Sequence, residues 1–306
     1  MSERPAPHLK DSEANAYFRA INKEVALARI LSQPVSLTWF VLAANIILYI
    51  GAWTFGEFLL HQHYNFEAWA LNVGQLAFYT GMKLPEQTLE QHQWWRLLTS
   101  AFVHMDITHI LFNGYGLYTI GPLIERFYGK ARWIIFYFGS AILSALASLL
   151  LNDAVSGGAS GALYGLVGVM LVLGFKYRSA LPDRVSRALT RGMLPWVVFG
   201  IGIGFFDFMP MDNAAHIGGL LSGMVMALMT KSKLSQHGSR AHQQGAPPVL
   251  KFMAALLLIL SSVSAFFWAK EVHTCTESKS AYLQCYPEIA SEVTLSRDAY
   301  MRSNPQ

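Results

Sequence analysis

The sequence predicts an all-α, polytopic membrane helix bundle, and three observations predict it. Hydrophobic residues make up 53% of the chain and charged residues only 14%, where a soluble domain carries about 25% charge. The apolar residues gather in long runs instead of the alternating faces of soluble elements. Small residues recur at helical spacing inside those runs, as in Gly161/Gly165 and Gly219/Gly223, a pattern that lets helices approach closely in lipid.

Taken in order, residues 1–36 form a polar arm with Lys10, Arg19, Lys23 and Arg29. Its first 30 residues are mixed in charge and hold no early apolar stretch of the kind a cleavable signal peptide needs. A first span covers Leu37–Phe55. Residues 56–107 follow as a loop rich in aromatics, with Phe66, Trp69, Phe78, Tyr79, Trp94 and Trp95. Such side chains favour the membrane interface, so the loop is expected on or partly in the bilayer. Six further spans are expected at Thr108–Ile124, Ala131–Leu151, Ser160–Phe175, Gly192–Met209, Ala214–Thr230 and Val249–Ala269. A hydrophilic linker, 231–248, precedes the last of them, and a polar tail, 270–306, follows it.

The basic residues set an orientation. The arm, the 125–132 turn, the 176–191 loop and the 231–251 segment hold 17 of the 23 Lys and Arg. Cationic loops stay cytoplasmic, which puts the N-terminus inside and the tail outside. A net charge of +4 spread over loops is not a nucleic-acid surface. Cys275 and Cys285 then face an oxidising space, where a disulfide closing a short loop and two free thiols are both open. Neither cysteine has metal-type spacing, there is no HExxH, and no cofactor is implied.

Depth singles out four residues. Counted back from the cationic ends of their spans, Ser160 lies 16 residues above Lys176, His216 15 above Lys231, and His109 and Asn113 17 and 13 above Arg126. At 1.5 Å per residue these four levels agree within about 6 Å. The span that begins at Ser160 is shorter than the roughly 20 residues of a full crossing. The preceding segment, 152–159, must therefore dip inward, and irregular backbone survives there only inside protein or beside a wet cavity. Polar side chains at that level are functional candidates.

Each has a chemical use and a plain alternative. Ser160 follows Gly157, Gly158 and Ala159 and opens a helix, near unpaired N–H groups and the positive end of the dipole. It is a candidate nucleophile, or merely a small residue at a crossing. His216, with Gly219 and Gly223 on its face, is a candidate base or a packed histidine. His109 and Asn113, one turn apart, suit an oxyanion hole or plain interhelical hydrogen bonding. His104 reads as a structural hydrogen-bonding residue, and Asp207 and Asp212 do not resemble an aspartyl dyad.

Together the strings WWRLLTSAFVHMDITHILFN (94–113), ERFYG (125–129), GGASGALYG (157–165), FFDF (205–208) and AAHIGGLLSG (214–223) resemble the rhomboid family of intramembrane serine proteases. The resemblance implies a six-helix core followed here by a seventh helix. It implies Ser160 as nucleophile, His216 as general base without a third acidic member, and His109 and Asn113 as oxyanion stabilisers. Tyr164, Gly158 and Gly219 are supporting residues by the same match, and Trp95-Arg96 matches the family's membrane-lying first loop. A glycine often found two residues before the histidine is Ala214 here. The implied partners are the bilayer and substrates with a transmembrane helix; the compact chain, with no targeting presequence expected, fits a bacterial inner membrane. A non-catalytic rhomboid-like binding or quality-control factor is the alternative, and a transporter is disfavoured because no inverted repeat is visible.

Overall fold

The computed structural model describes residues 11–55, 81–205, 211–236, 246–275 and 277–286. Phe66, Trp69, Phe78, Tyr79 and Asp207, residues 206–208 of FFDF, half of the 231–248 linker and most of the tail lie outside the described residues. The α-helices of the described chain are α1 (Asp11–Leu31), α2 (Leu37–Phe55), α3 (Pro85–Leu89), α4 (Arg96–Thr99), α5 (Ile107–Tyr128), α6 (Lys130–Leu151), α7 (Ser160–Lys176), α8 (Asp183–Leu189), α9 (Leu194–Ile203), α10 (Asn213–Met229), α11 (Pro248–Cys275) and α12 (Lys279–Cys285).

Four of the seven expected spans, α2, α6, the segment starting with α10, and α11, are long and apolar enough to cross a membrane. The other three differ for distinct reasons. α5 has 22 residues, but His109, Asn113, Glu125 and Arg126 lower its hydropathy. α7 is apolar but has only 17 residues. α9 covers 10 residues and ends at Gly204, well inside the expected 192–209. The helical α1 lies within the polar arm. Its alanines favour helix, and Ala26, Leu27 and Ile30 are buried on one face.

The bundle is built around α7, which packs against α5, α6 and α10. Lipid offers no hydrophobic drive between helices, so close packing has to hold them together. The α7–α10 crossing meets that need with backbone. A Cβ on Gly219 would strike the carbonyl of Gly161, and one on Gly223 the carbonyl of Gly165. Large aromatics fill the other side of the core: Trp133 stacks on Tyr137 with centroids 5.1 Å apart, and its indole N–H donates to the Gly121 carbonyl at 3.0 Å.

A carboxylate on α5 caps α2. Glu125 is buried and accepts from the backbone N–H groups of Ser36, Leu37 and Thr38 at 3.0, 3.2 and 3.0 Å, and from the Thr38 hydroxyl at 3.0 Å. The unpaired donors at a helix start are thereby satisfied where water is scarce. Asp106 does the same for α5 from its own chain, accepting from His109 N–H at 2.8 Å.

The close crossing makes a matched pair of variants informative. Gly223→Ala should destabilise the micellar protein by about 1–3 kcal/mol through overpacking. Gly51→Ala, where a Cβ meets nothing within 4 Å among the described residues, should not destabilise it. Reversible unfolding in detergent measures both.

Candidate active site

Ser160 is the first residue of α7, and His216 lies in the first turn of α10. Their side chains meet, with His216 Nε2 2.9 Å from Ser160 Oγ. Tyr164, one turn along α7, stacks on the imidazole with centroids 4.4 Å apart and planes 15° from parallel. His216 is buried, and its Nδ1 has no hydrogen-bond partner among the described residues.

The two residues from α5 approach the same place. Gly158 has φ +114°, a conformation suited to glycine. A Cβ built there would strike the His109 ring and lie 3.3 Å from Asn113 Nδ2. His109 and Asn113 therefore flank the backbone two residues before Ser160. Asn113 Nδ2 is buried without a partner among the described residues, which leaves it a donor in want of an acceptor there. By helix geometry the first N–H groups of α7 also lack intrahelical acceptors.

The irregular backbone before Ser160 is held from the side. Lys83 and Ser156 exchange backbone hydrogen bonds of 2.9 and 3.1 Å as an isolated antiparallel bridge. Gly158 N–H donates to the Ser100 carbonyl at 2.8 Å, and Ala159 N–H to His104 Nε2 at 3.3 Å. Segment 81–104 thus covers 156–159, which explains how non-helical chain persists at this level of the bundle.

A family profile described as Rhomboid domain matches residues 91–233. The chain is 31% identical over 143 residues to the putative rhomboid protease YdcA of Bacillus subtilis (strain 168), covering 46% of this chain and 69% of that protein. The chain belongs to the rhomboid family. It is also 32% identical over 206 residues to rhomboid protease GluP of the same strain, covering 67% of this chain and 37% of the relative. To rhomboid protease GlpG of Yersinia pestis (strain Pestoides F) it is 31% identical over 159 residues, covering 51% and 55%. The chain thus spans between a third and somewhat over half the length of GluP and GlpG. With the family and its apolar helices, this rhomboid is an integral membrane protein, a polytopic helical bundle.

All seven residues singled out in this rhomboid's sequence sit in one neighbourhood: Ser160, His216, His109, Asn113, Tyr164, Gly158 and Gly219. His104, read as structural, serves as the acceptor for Ala159 N–H. Sequence reasoning missed the polar hub beside them. Lys83 is buried, and its ammonium donates to Ser148 Oγ at 2.7 Å and to the Ala154 carbonyl. Ser148 Oγ in turn donates to Asp212, which also accepts from Asn152 Nδ2 at 3.1 Å and from Ala215 N–H at 3.0 Å. Asp212 thereby caps the helix that carries His216. Asp212 directly before the apolar run of α10 was a legible cap signal; the partnership with Lys83, far away in sequence, was not.

The hub predicts an acid sensitivity. Burial alone raises the Asp212 pKa, but hydrogen bonds from Ser148, Ala215 N–H, Asn152 and Ser156 outweigh it, leaving the carboxyl below its ordinary 3.8. A folded pKa below the unfolded value contributes stability that is present above the unfolded value and lost as pH falls through the folded one. Asp212→Asn should therefore be less stable at neutral pH and should lose less on acidification below about 4, as followed by unfolding in detergent across pH.

Proposed function

We propose that this rhomboid is an intramembrane serine endopeptidase working through a Ser160–His216 dyad. The 2.9 Å contact between Ser160 Oγ and His216 Nε2 carries the reading. An alcohol that meets an imidazole at the start of a helix has both a base and a cluster of unpaired donors at hand. His109 and Asn113 beside Gly158 complete the set. The names of GluP and GlpG support protease chemistry in proteins of this family.

In this reading His216 Nε2 takes the proton as Ser160 Oγ attacks a peptide carbonyl. The oxyanion forms against Ser160 N–H, Asn113 and His109. The imidazolium returns its proton to the leaving amine, and the ester on Ser160 remains. Water then attacks, its proton passing to His216 and on to Ser160 as the new carboxyl leaves. Tyr164 holds the imidazole plane through these transfers. In this reading the dyad works without a third, acidic member.

The substrate is a membrane protein with its own transmembrane helix, unwound locally so that a carbonyl is free. Small or helix-breaking residues near its end ease this unwinding. The basic residues concentrated at the ends of the helices opposite Ser160 support a cytoplasmic N-terminus and a cleavage site near the outer face. An inner-membrane location of a bacterial cell fits that arrangement.

Fluorophosphonate labelling and cleavage of a transmembrane reporter in proteoliposomes test the proposal. Wild type should label and cleave, and Ser160→Ala should do neither while remaining folded. Asn113→Ala should lower kcat by about 10²-fold through loss of one oxyanion donor. Undiminished cleavage by Ser160→Ala would overturn the assignment.

A further inference from the structure

The seventh helix stands apart from the rest of the bundle. Only 11% of the membrane-crossing window of α11 is buried, and among the described residues it packs mainly on α6 and the short α4. At the end nearest Ser160 it makes a dense set of polar contacts instead. Glu271 Oε1 pairs with Arg96 Nη2 at 3.3 Å, the arginine side chain being fully buried. Gln93 Nε2 donates to both Glu271 oxygens at 3.4 Å, and the Tyr286 hydroxyl donates to Oε1 at 3.3 Å. The Trp268 ring packs where a Cβ on Gly81 would fall, 2.7 Å from it.

Tyr286 reaches this position because the chain turns back after α11. A disulfide joins Cys275 to Cys285, at a sequence separation of 10, and closes a hook that contains α12. The cysteine sulfurs and a Glu271 carboxylate oxygen lie within 4.8 Å of one another, so the hook sits directly on the ion pair. Burial raises the Tyr286 pKa and keeps the phenol protonated as a donor.

From Arg96 the contacts lead to Ser160. Arg96 Nη1 donates to the Met82 carbonyl at 2.8 Å and its Nε to Gln93 Oε1 at 2.6 Å. Thr99 Oγ1 donates to the Gly81 carbonyl at 2.9 Å. Met82 is followed by Lys83, whose backbone pairs with Ser156, and the Met82 side chain lies against Gly157. Gly158, next along, is the residue that His109 and Asn113 flank.

We propose that Glu271 is a positioning residue: the seventh helix, locked by its disulfide-closed hook, grips segment 81–103 through Arg96 and so fixes the 156–158 backbone beside Ser160. A buried arginine left without its carboxylate would draw in water or shift, and the Met82 carbonyl would move with it. A displacement of about 1 Å in this support is enough to misalign a reacting group. The catalytic consequence rests on the protease reading; the mechanical grip does not.

Hydrogen exchange and kinetics on the full chain in proteoliposomes test it, using Glu271→Ala, Glu271→Gln and the double variant Cys275→Ser/Cys285→Ser. In Glu271→Ala and the double variant the amides of Lys83 and Ser156 should exchange about tenfold faster than in wild type, while those of α7 and α10 stay protected. Their kcat on the reporter should fall about tenfold or more, with KM within about twofold. Glu271→Gln, which keeps an acceptor for Arg96 and Tyr286, should recover most of both. Unchanged exchange at Lys83 and Ser156 overturns the proposal, as does acceleration spread evenly over the bundle, or an unchanged kcat despite faster local exchange. Local acceleration in a chain that cleaves nothing even as wild type upholds the grip and discards the protease reading.

Discussion

The approach of α7 to α10, glycine against carbonyl, is the constraint on which the rest of the molecule depends. No side chain intervenes at Gly219 and Gly223, so the separation is set by backbone. Its location matters as much as its closeness. Gly161 directly follows Ser160, and Gly219 lies three residues after His216, on the same face. The point where the helices touch is therefore the point where the alcohol and the imidazole are carried. A wider crossing would separate the 2.9 Å pair.

A second constraint follows from beginning α7 at Ser160. Irregular backbone precedes it, and every N–H and C=O there needs a partner. Segment 81–104 supplies several of them through Lys83, Ser100 and His104. The hub of Lys83, Ser148, Asn152 and Asp212 then joins that segment to the cap of α10. Burial lowers the Lys83 pKa, while Asp212 and Asp153 raise it, so the carboxylates offset part of the cost of a buried ammonium. One set of contacts thus supports both chain segments that meet at the site.

Much of this was legible in the sequence because it is written in short range. The ends of α2, α6 and α7 follow from apolar runs bounded by polar residues, and the level of Ser160, His216, His109 and Asn113 from counting back to cationic ends. Glycine spacing showed which faces would meet. What escaped was long range or averaged out. α1 hides in a polar composition because only Ala26, Leu27 and Ile30 on its inner face are buried. α9 looked longer because apolar residues continue beyond its last turn. The pairing of Cys275 with Cys285 was open between two states, and the structure joins them. Nothing in the sequence near Glu271 points to Arg96, 175 residues away.

The carboxylate that caps α2 has an implication for biosynthesis. Thr38 and Glu125 are 87 residues apart, so the first crossing segment leaves the ribosome long before its acceptor is made. Until α5 arrives, the opening turn of α2 must rest where water or lipid headgroups can serve its N–H groups. The final register of that first segment is consequently fixed after insertion, when its neighbour docks, and not at the moment of entry.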